Sequence, residues 1–107
     1  MRAGDFDGLL AVLDPDLVVR SDQAAVAPGA PREVRGARNW AKGAINFARV
    51  ARFIRPVLVD GTVGIALAPG GRLFRVLRFT FAQGKIAEID VVADPARLRQ
   101  LDLAVLD

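Results

Sequence analysis

The sequence predicts an α+β domain in which helices are segregated from an antiparallel sheet. Three observations carry this reading. The apolar period changes from helical to alternating near Phe53. Four β-rich runs then follow one another, separated by Asp-Gly, Pro-Gly-Gly and Gln-Gly turns. Finally, Asp94-Pro95 supplies a cap and a first-turn proline, so the leucine-rich end of the chain reads as a closing helix.

Taken in order, "GDFDGLLAVLDPD" predicts a short helix. Asp5 can cap it, Phe6, Leu9, Leu10 and Leu13 form its apolar face, and Asp14-Pro15-Asp16 stops it in a turn. "LVVR" reads as a short strand, and "SDQAAVAPGAPREVRG" as a loop with two prolines and two glycines. In "ARNWAKGAINFARVARF" the helical pattern is clear. Ala37, Trp40, Ala41, Ala44, Phe47, Ala48 and Ala51 share one side, with Arg38, Lys42, Arg49 and Arg52 on the adjacent flank. Small alanines allow close approach to a neighbour, and Trp40 and Phe47 are expected to pack on the sheet. "FIRPVLVDG", "TVGIALAPGG", "RLFRVLRFTFAQG" and "KIAEIDVVAD" then form an antiparallel meander. In the closing helix Leu98, Leu101 and Val105 form one stripe, with Leu103 and Leu106 beside it.

Composition bounds the function. At 107 residues the chain is expected to be one domain spanning 1–107, with 52% hydrophobic and 25% charged residues. No apolar run reaches a membrane span, and Met1-Arg2 with two early aspartates does not read as a signal peptide. Absence of cysteine excludes disulfides and thiolate metal sites and fits a cytoplasmic protein. Histidine is absent too, which excludes a Ser-His-Asp triad, a histidine base and histidine-ligated zinc. No catalytic residue, cofactor or metal is expected. The net charge is +3 and the pI near 10.5, yet only Lys42 and Lys85 are lysines. Between Arg32 and Arg55 seven basic residues face Glu33 alone, while both ends of the chain are acidic. Such asymmetry suits a partner-facing surface. A nucleic-acid reader would need aromatic platforms that are missing here.

The order of elements resembles the cone-shaped fold of SnoaL-type polyketide cyclases, ketosteroid isomerase and nuclear-transport-factor-like proteins. Within that group, "GDFDGLLAVLDPDLVVRSD", "VRGA" and "FTFAQGKIAEIDVVADPARLRQLDLAVL" resemble the C-terminal SnoaL-like domain of actinobacterial SigJ-type extracytoplasmic-function sigma factors. "DPARL" is similar to the family's Asn-Pro-Asp-Lys-Leu motif at its proline and leucine, with Arg97 keeping the lysine's charge. Where the family carries an Asp-Gly-Gly-Gly turn, this chain has Asp22-Gln23-Ala24-Ala25. Only Arg2-Ala3 stand before Gly4 where the family has a longer first helix, so that helix reads as largely truncated and the chain as an excised domain.

The resemblance implies a built-in regulator that packs on the sigma domains and their linker and tunes their engagement with RNA polymerase. Asp94, Pro95, Arg97, Leu98 and Leu101 would then be the protein-interaction residues. It also implies that an isolated copy self-associates, because the first helix of the cone covers apolar surface. The alternative is a small-molecule module or isomerase-like enzyme with an apolar pocket around Trp40, Phe79, Phe81, Arg78 and Asp90. Strand alternation puts Ile86, Glu88, Asp90 and Val92 on one face and Ala87, Ile89 and Val91 on the other. If the first set points inward, Asp90 and Arg78 form a buried acid–base pair. If it points outward they are a surface ion pair, leaving Leu73, Leu77, Phe79 and Phe81 inside with Arg75 as the one polar group. The outward orientation is preferred because it yields an apolar lining.

Overall fold

Asp60-Gly61 and Gln83-Gly84 fold the second half of the chain into hairpins. All four residues have positive φ (49°, 86°, 54° and 79°), the conformation that matches a tight turn to the twist of its strands. In the computed structural model, residues 5–47, 54–68 and 73–106 are described. Their order is α1 (Asp5–Val12), β1 (Leu13–Ser21), a 3₁₀ turn (Gln23–Ala25), β2 (Glu33–Arg35), α2 (Ala37–Phe47), β3 (Ile54–Val59), β4 (Thr62–Leu67), β5 (Arg75–Ala82), β6 (Lys85–Val92), α3 (Pro95–Gln100) and β7 (Leu103–Val105). The expectations for Ala48, Arg49, Ala51, Arg52, Phe53 and the Pro-Gly-Gly turn, and for the Asp5, Phe6 and Phe47 side chains, lie outside the described residues.

The four β-rich runs form the antiparallel meander β3 to β6, within one seven-stranded sheet of order β2-β1-β6-β5-β4-β3-β7. The sheet is mixed where the sequence predicts an antiparallel one. β1 lies parallel to β6, pairing Val19 with Ile89 and Ser21 with Val91. The two strands are far apart in sequence, and local turn chemistry cannot report such a pairing. "EVR", expected as loop, adds a short antiparallel edge strand to β1.

Each face of the sheet carries its own core. One face holds Leu17, Val19, Leu77, Ile89 and Val91 beneath α1 and α2. Ala37 and Ala41 are buried there, so α2 sits close to β1, and the half-buried Trp40 packs beside them. The other face holds Val57, Val59, Val76 and Val92 beneath Leu98 of α3. Alternation sorts most strand residues as expected, but Leu73, expected on the face of Leu77 and Phe79, packs with Val76 on the other side. The register shifts between Thr80 and Phe81, so Ile86 faces Phe81 and joins the α1/α2 side instead of the Glu88 side. Phe81, expected inside, is 52% exposed.

The predicted closing helix is corrected as well. It ends at Gln100, and Leu103–Val105 form a strand antiparallel to β3. Leu101, Leu103 and Val105 recur at a strand's spacing, and the open edge of β3 supplies the partner that helical propensity lacks. The Asp60 N–H donates to the Asp102 carbonyl and the Asp102 N–H donates to Asp60 Oδ1, both at 2.8 Å.

Gly64 shows how tightly the strands pass. A Cβ there would collide with the Leu77 carbonyl oxygen and crowd Val59 at 3.1 Å. Gly64→Ala should therefore cost about 1–3 kcal/mol. Gly43 of α2 has open space around it, so Gly43→Ala should stabilise by up to about 1 kcal/mol. Urea melts of the two variants should move in opposite directions.

Candidate functional site

Leu17 to Ser21 bring Asp22 to the end of β1, alongside Ala93 and Asp94 at the end of β6, because the two strands run parallel. Asp22 is 7% exposed. Its N–H donates to the Val91 carbonyl at 3.1 Å, continuing the strand pairing by one residue. One carboxylate oxygen accepts from Ala25 N–H at 3.1 Å and holds the 3₁₀ turn. The other accepts from Ala93 N–H at 2.9 Å, Asp94 N–H at 3.0 Å and the Arg97 guanidinium at 3.4 Å. Burial alone would raise the Asp22 pKa. The backbone N–H groups of Asp94 and Ala93, the charge of Arg97 and the N–H of Ala25 outweigh it, and the carboxyl is held below its ordinary value.

Asp94 works one step outward. Its side chain accepts from Ala96 N–H at 2.9 Å as the cap of α3, with Pro95 at the first position of the helix. Leu98 is buried against the sheet, and Leu101 packs at the margin of the same cluster. Arg97 is half exposed and paired with Asp22, so its charge serves the domain itself. The five residues predicted for protein interaction thus lie on one short helix, braced at its start by Asp22. Asp22 and Asp60 each sit beside a turn in the sequence, where an aspartate commonly serves local hydrogen bonding alone. Both instead reach across the chain, Asp22 to α3 and Asp60 to Asp102 and Arg78. The Asp22 turn, where the chain departs from the family's Asp-Gly-Gly-Gly, and the Asp94–Leu98 segment, which resembles the family's motif, meet through this carboxylate.

The five candidate pocket residues are not brought together. Trp40 and Phe79 pack on the α1/α2 face, and Phe81 meets Phe79 edge-on with ring centroids 6.4 Å apart. Arg78 and Asp90 face the other side, 3.8 Å apart and part-exposed, with Asp60 3.6 Å from Arg78. They continue a surface array in which Arg20 pairs with Glu33 and Glu88. Exposed pairs of this kind contribute roughly 0–1 kcal/mol each. Arg75 lies on the α1/α2 side. Burial lowers its pKa and the charge of Asp22 opposes that shift, while its guanidinium sits 5.0 Å from the Phe74 ring centre. Among the described residues no cluster of His, Cys, Asp or Glu could hold a metal ion. No described helix is long and apolar enough to cross a membrane.

No protein-family model matches the sequence, and no curated protein is significantly similar to it. Solved structures do match. A de novo designed protein with a curved β-sheet aligns over 94% of this chain and 93% of its own at TM-score 0.55 and 15% identity. A putative isomerase from Bacillus subtilis aligns over 90% of this chain and 79% of its own at TM-score 0.51 and 10% identity. At these identities the likeness is one of fold. The chain has the α+β fold of SnoaL-like and nuclear-transport-factor-like proteins. Within that class it is similar to the extracytoplasmic function sigma factor SigJ of Mycobacterium tuberculosis, at 26% identity and TM-score 0.69 over 90% of this chain. Its likeness is thus to a SnoaL-like domain of the SigJ type. The match covers 39% of the sigma factor's length.

The Asp22 network has a pH signature. A carboxyl whose native pKa is depressed contributes stability above its unfolded pKa, near 4, and loses that contribution as pH falls through the native value. Asp22→Asn should therefore cost about 2–3 kcal/mol at pH 7 and flatten the fall in stability below about pH 4. Arg97→Gln, removing a half-exposed partner, should cost under about 1 kcal/mol. Chemical melts between pH 2 and pH 7 (roughly the window where aspartates titrate) check both values and their order.

Proposed function

We propose that this chain, across 1–107, is a regulatory domain of a sigma factor. It docks through α3 on the sigma domains or their linker and tunes how they engage RNA polymerase. The observation that carries this reading is the similarity to SigJ over 90% of the chain. The build of α3 supports it. A helix of six residues has little stability of its own, yet Asp22, Asp94 and the buried Leu98 fix it in place. Arg97 and Arg99 then lie on its open side. The proposed role is one of binding, without catalysis: Arg78 and Asp90, the acid–base pair of the enzyme alternative, form a part-exposed surface ion pair. Isolated copies would self-associate through apolar surface such as Phe74, Phe81 and Val105, each at least half exposed.

In a chain that joins the sigma domains to this one, Arg97→Ala should change promoter output while the isolated domain melts within about 1 kcal/mol of the parent. Leu98→Ala serves as the structural comparator, because it opens a core site and should cost about 2–4 kcal/mol. Output that follows only the melting behaviour would make α3 a structural lid. Output unchanged by Arg97→Ala and by Leu101→Ala would end the docking reading for this helix.

A further inference from the structure

We propose a second docking site: the groove between the end of α1 and the start of α2 receives an acidic, leucine-bearing segment of a partner protein. The groove has a volume of about 340 Å³. Leu13 and Ala37, both buried, form its floor, with Leu10 and Pro15 as walls and Arg38 and Lys85 at its rim. That volume lies at the small end of ligand sites, about 300–1,000 Å³. Pro15, Arg38 and Lys85 are all exposed, so one side of the groove stands open. A pocket for a small molecule encloses most of its ligand. An open groove instead suits a side chain inserted from a polypeptide that continues along the surface.

The charges indicate which polypeptide. Arg20, Arg35, Arg78 and Arg97 each pair with a carboxylate of the domain itself. Arg38, Lys85 and Lys42, one helical turn beyond Arg38, form no ion pair among the described residues. Asp14 and Asp16 flank Pro15 on the opposite wall, where Asp14 accepts the Asp16 N–H at 2.8 Å. Acidic residues of the incoming segment are thus directed to the α2 and β6 side, with an apolar side chain over Leu13. Carboxylates flanking a leucine satisfy both requirements. The groove shares no residue with α3, so the two docking readings stand or fall separately.

The test is fluorescence anisotropy of the intact domain with three labelled synthetic peptides: Glu-Asp-Leu-Leu-Asp-Glu, its variant with both leucines replaced by serine, and its variant with all carboxylates replaced by lysine. The first should bind saturably and the other two at least about tenfold more weakly. Arg38→Glu and Lys85→Glu should each weaken the first peptide about tenfold or more, and Arg38→Gln and Lys85→Gln by less. Arg55→Glu, an exposed change on β3, should leave binding as it was. Circular dichroism melts confirm that each variant is folded. Equal binding of the leucine and serine peptides would reduce the effect to net charge and overturn the site. So would binding insensitive to both rim substitutions, or no saturable binding by the acidic leucine peptide.

Discussion

A carboxylate that is nearly out of water must be repaid where it sits. Left alone, a buried Asp22 would take up a proton. Three backbone N–H groups and one guanidinium keep it charged, and each is a group the fold had to place. Ala25 comes from the turn after β1, Ala93 and Asp94 from the end of β6, and Arg97 from α3. The parallel β1–β6 pairing brings the donors within reach, and the carboxylate in return fixes where the chain leaves β6. The position of α3 and the burial of Leu98 over the second core follow from that exit.

Asp60 secures the far end of the same segment. Its left-handed backbone makes the β3–β4 turn, one oxygen accepts from Asp102, and the other lies 3.6 Å from Arg78. The segment from Asp94 to Asp102 is thus tied at both ends by aspartates; a six-residue helix persists between the ties, and the three-residue β7 follows the second one. Neither would be stable as an isolated peptide. This arrangement lets a short surface element keep one shape.

Charge divides the surface by use. On the sheet face away from α1 and α2, cations and carboxylates alternate across neighbouring strands and neutralise one another. Such an array keeps the face soluble and discourages stacking against another sheet. At the start of α2 the cations lack carboxylate partners among the described residues and surround an apolar floor.

The sequence alone determined the α+β class, the four-strand meander with its Asp-Gly and Gln-Gly turns, the two principal helices and the capped start of α3. These depend on local causes: apolar period, left-handed turn residues, a proline and its cap. It also indicated the outward aim of Asp90 and Arg78, since the alternate face is the more apolar one. Tertiary structure decided the rest. The parallel β1–β6 pair, the edge strand at Glu33–Arg35, the shift that turns Ile86 to the other face, and the conversion of Leu103–Val105 into a strand all depend on which edges meet. From the sequence, Asp22 likewise reads as a turn residue and Arg97 as a charge turned toward a partner. Sequence periodicity encodes which face a residue prefers; it carries no record of which distant strand end will stand beside it, and hydrogen bonds made across that distance set the roles of both.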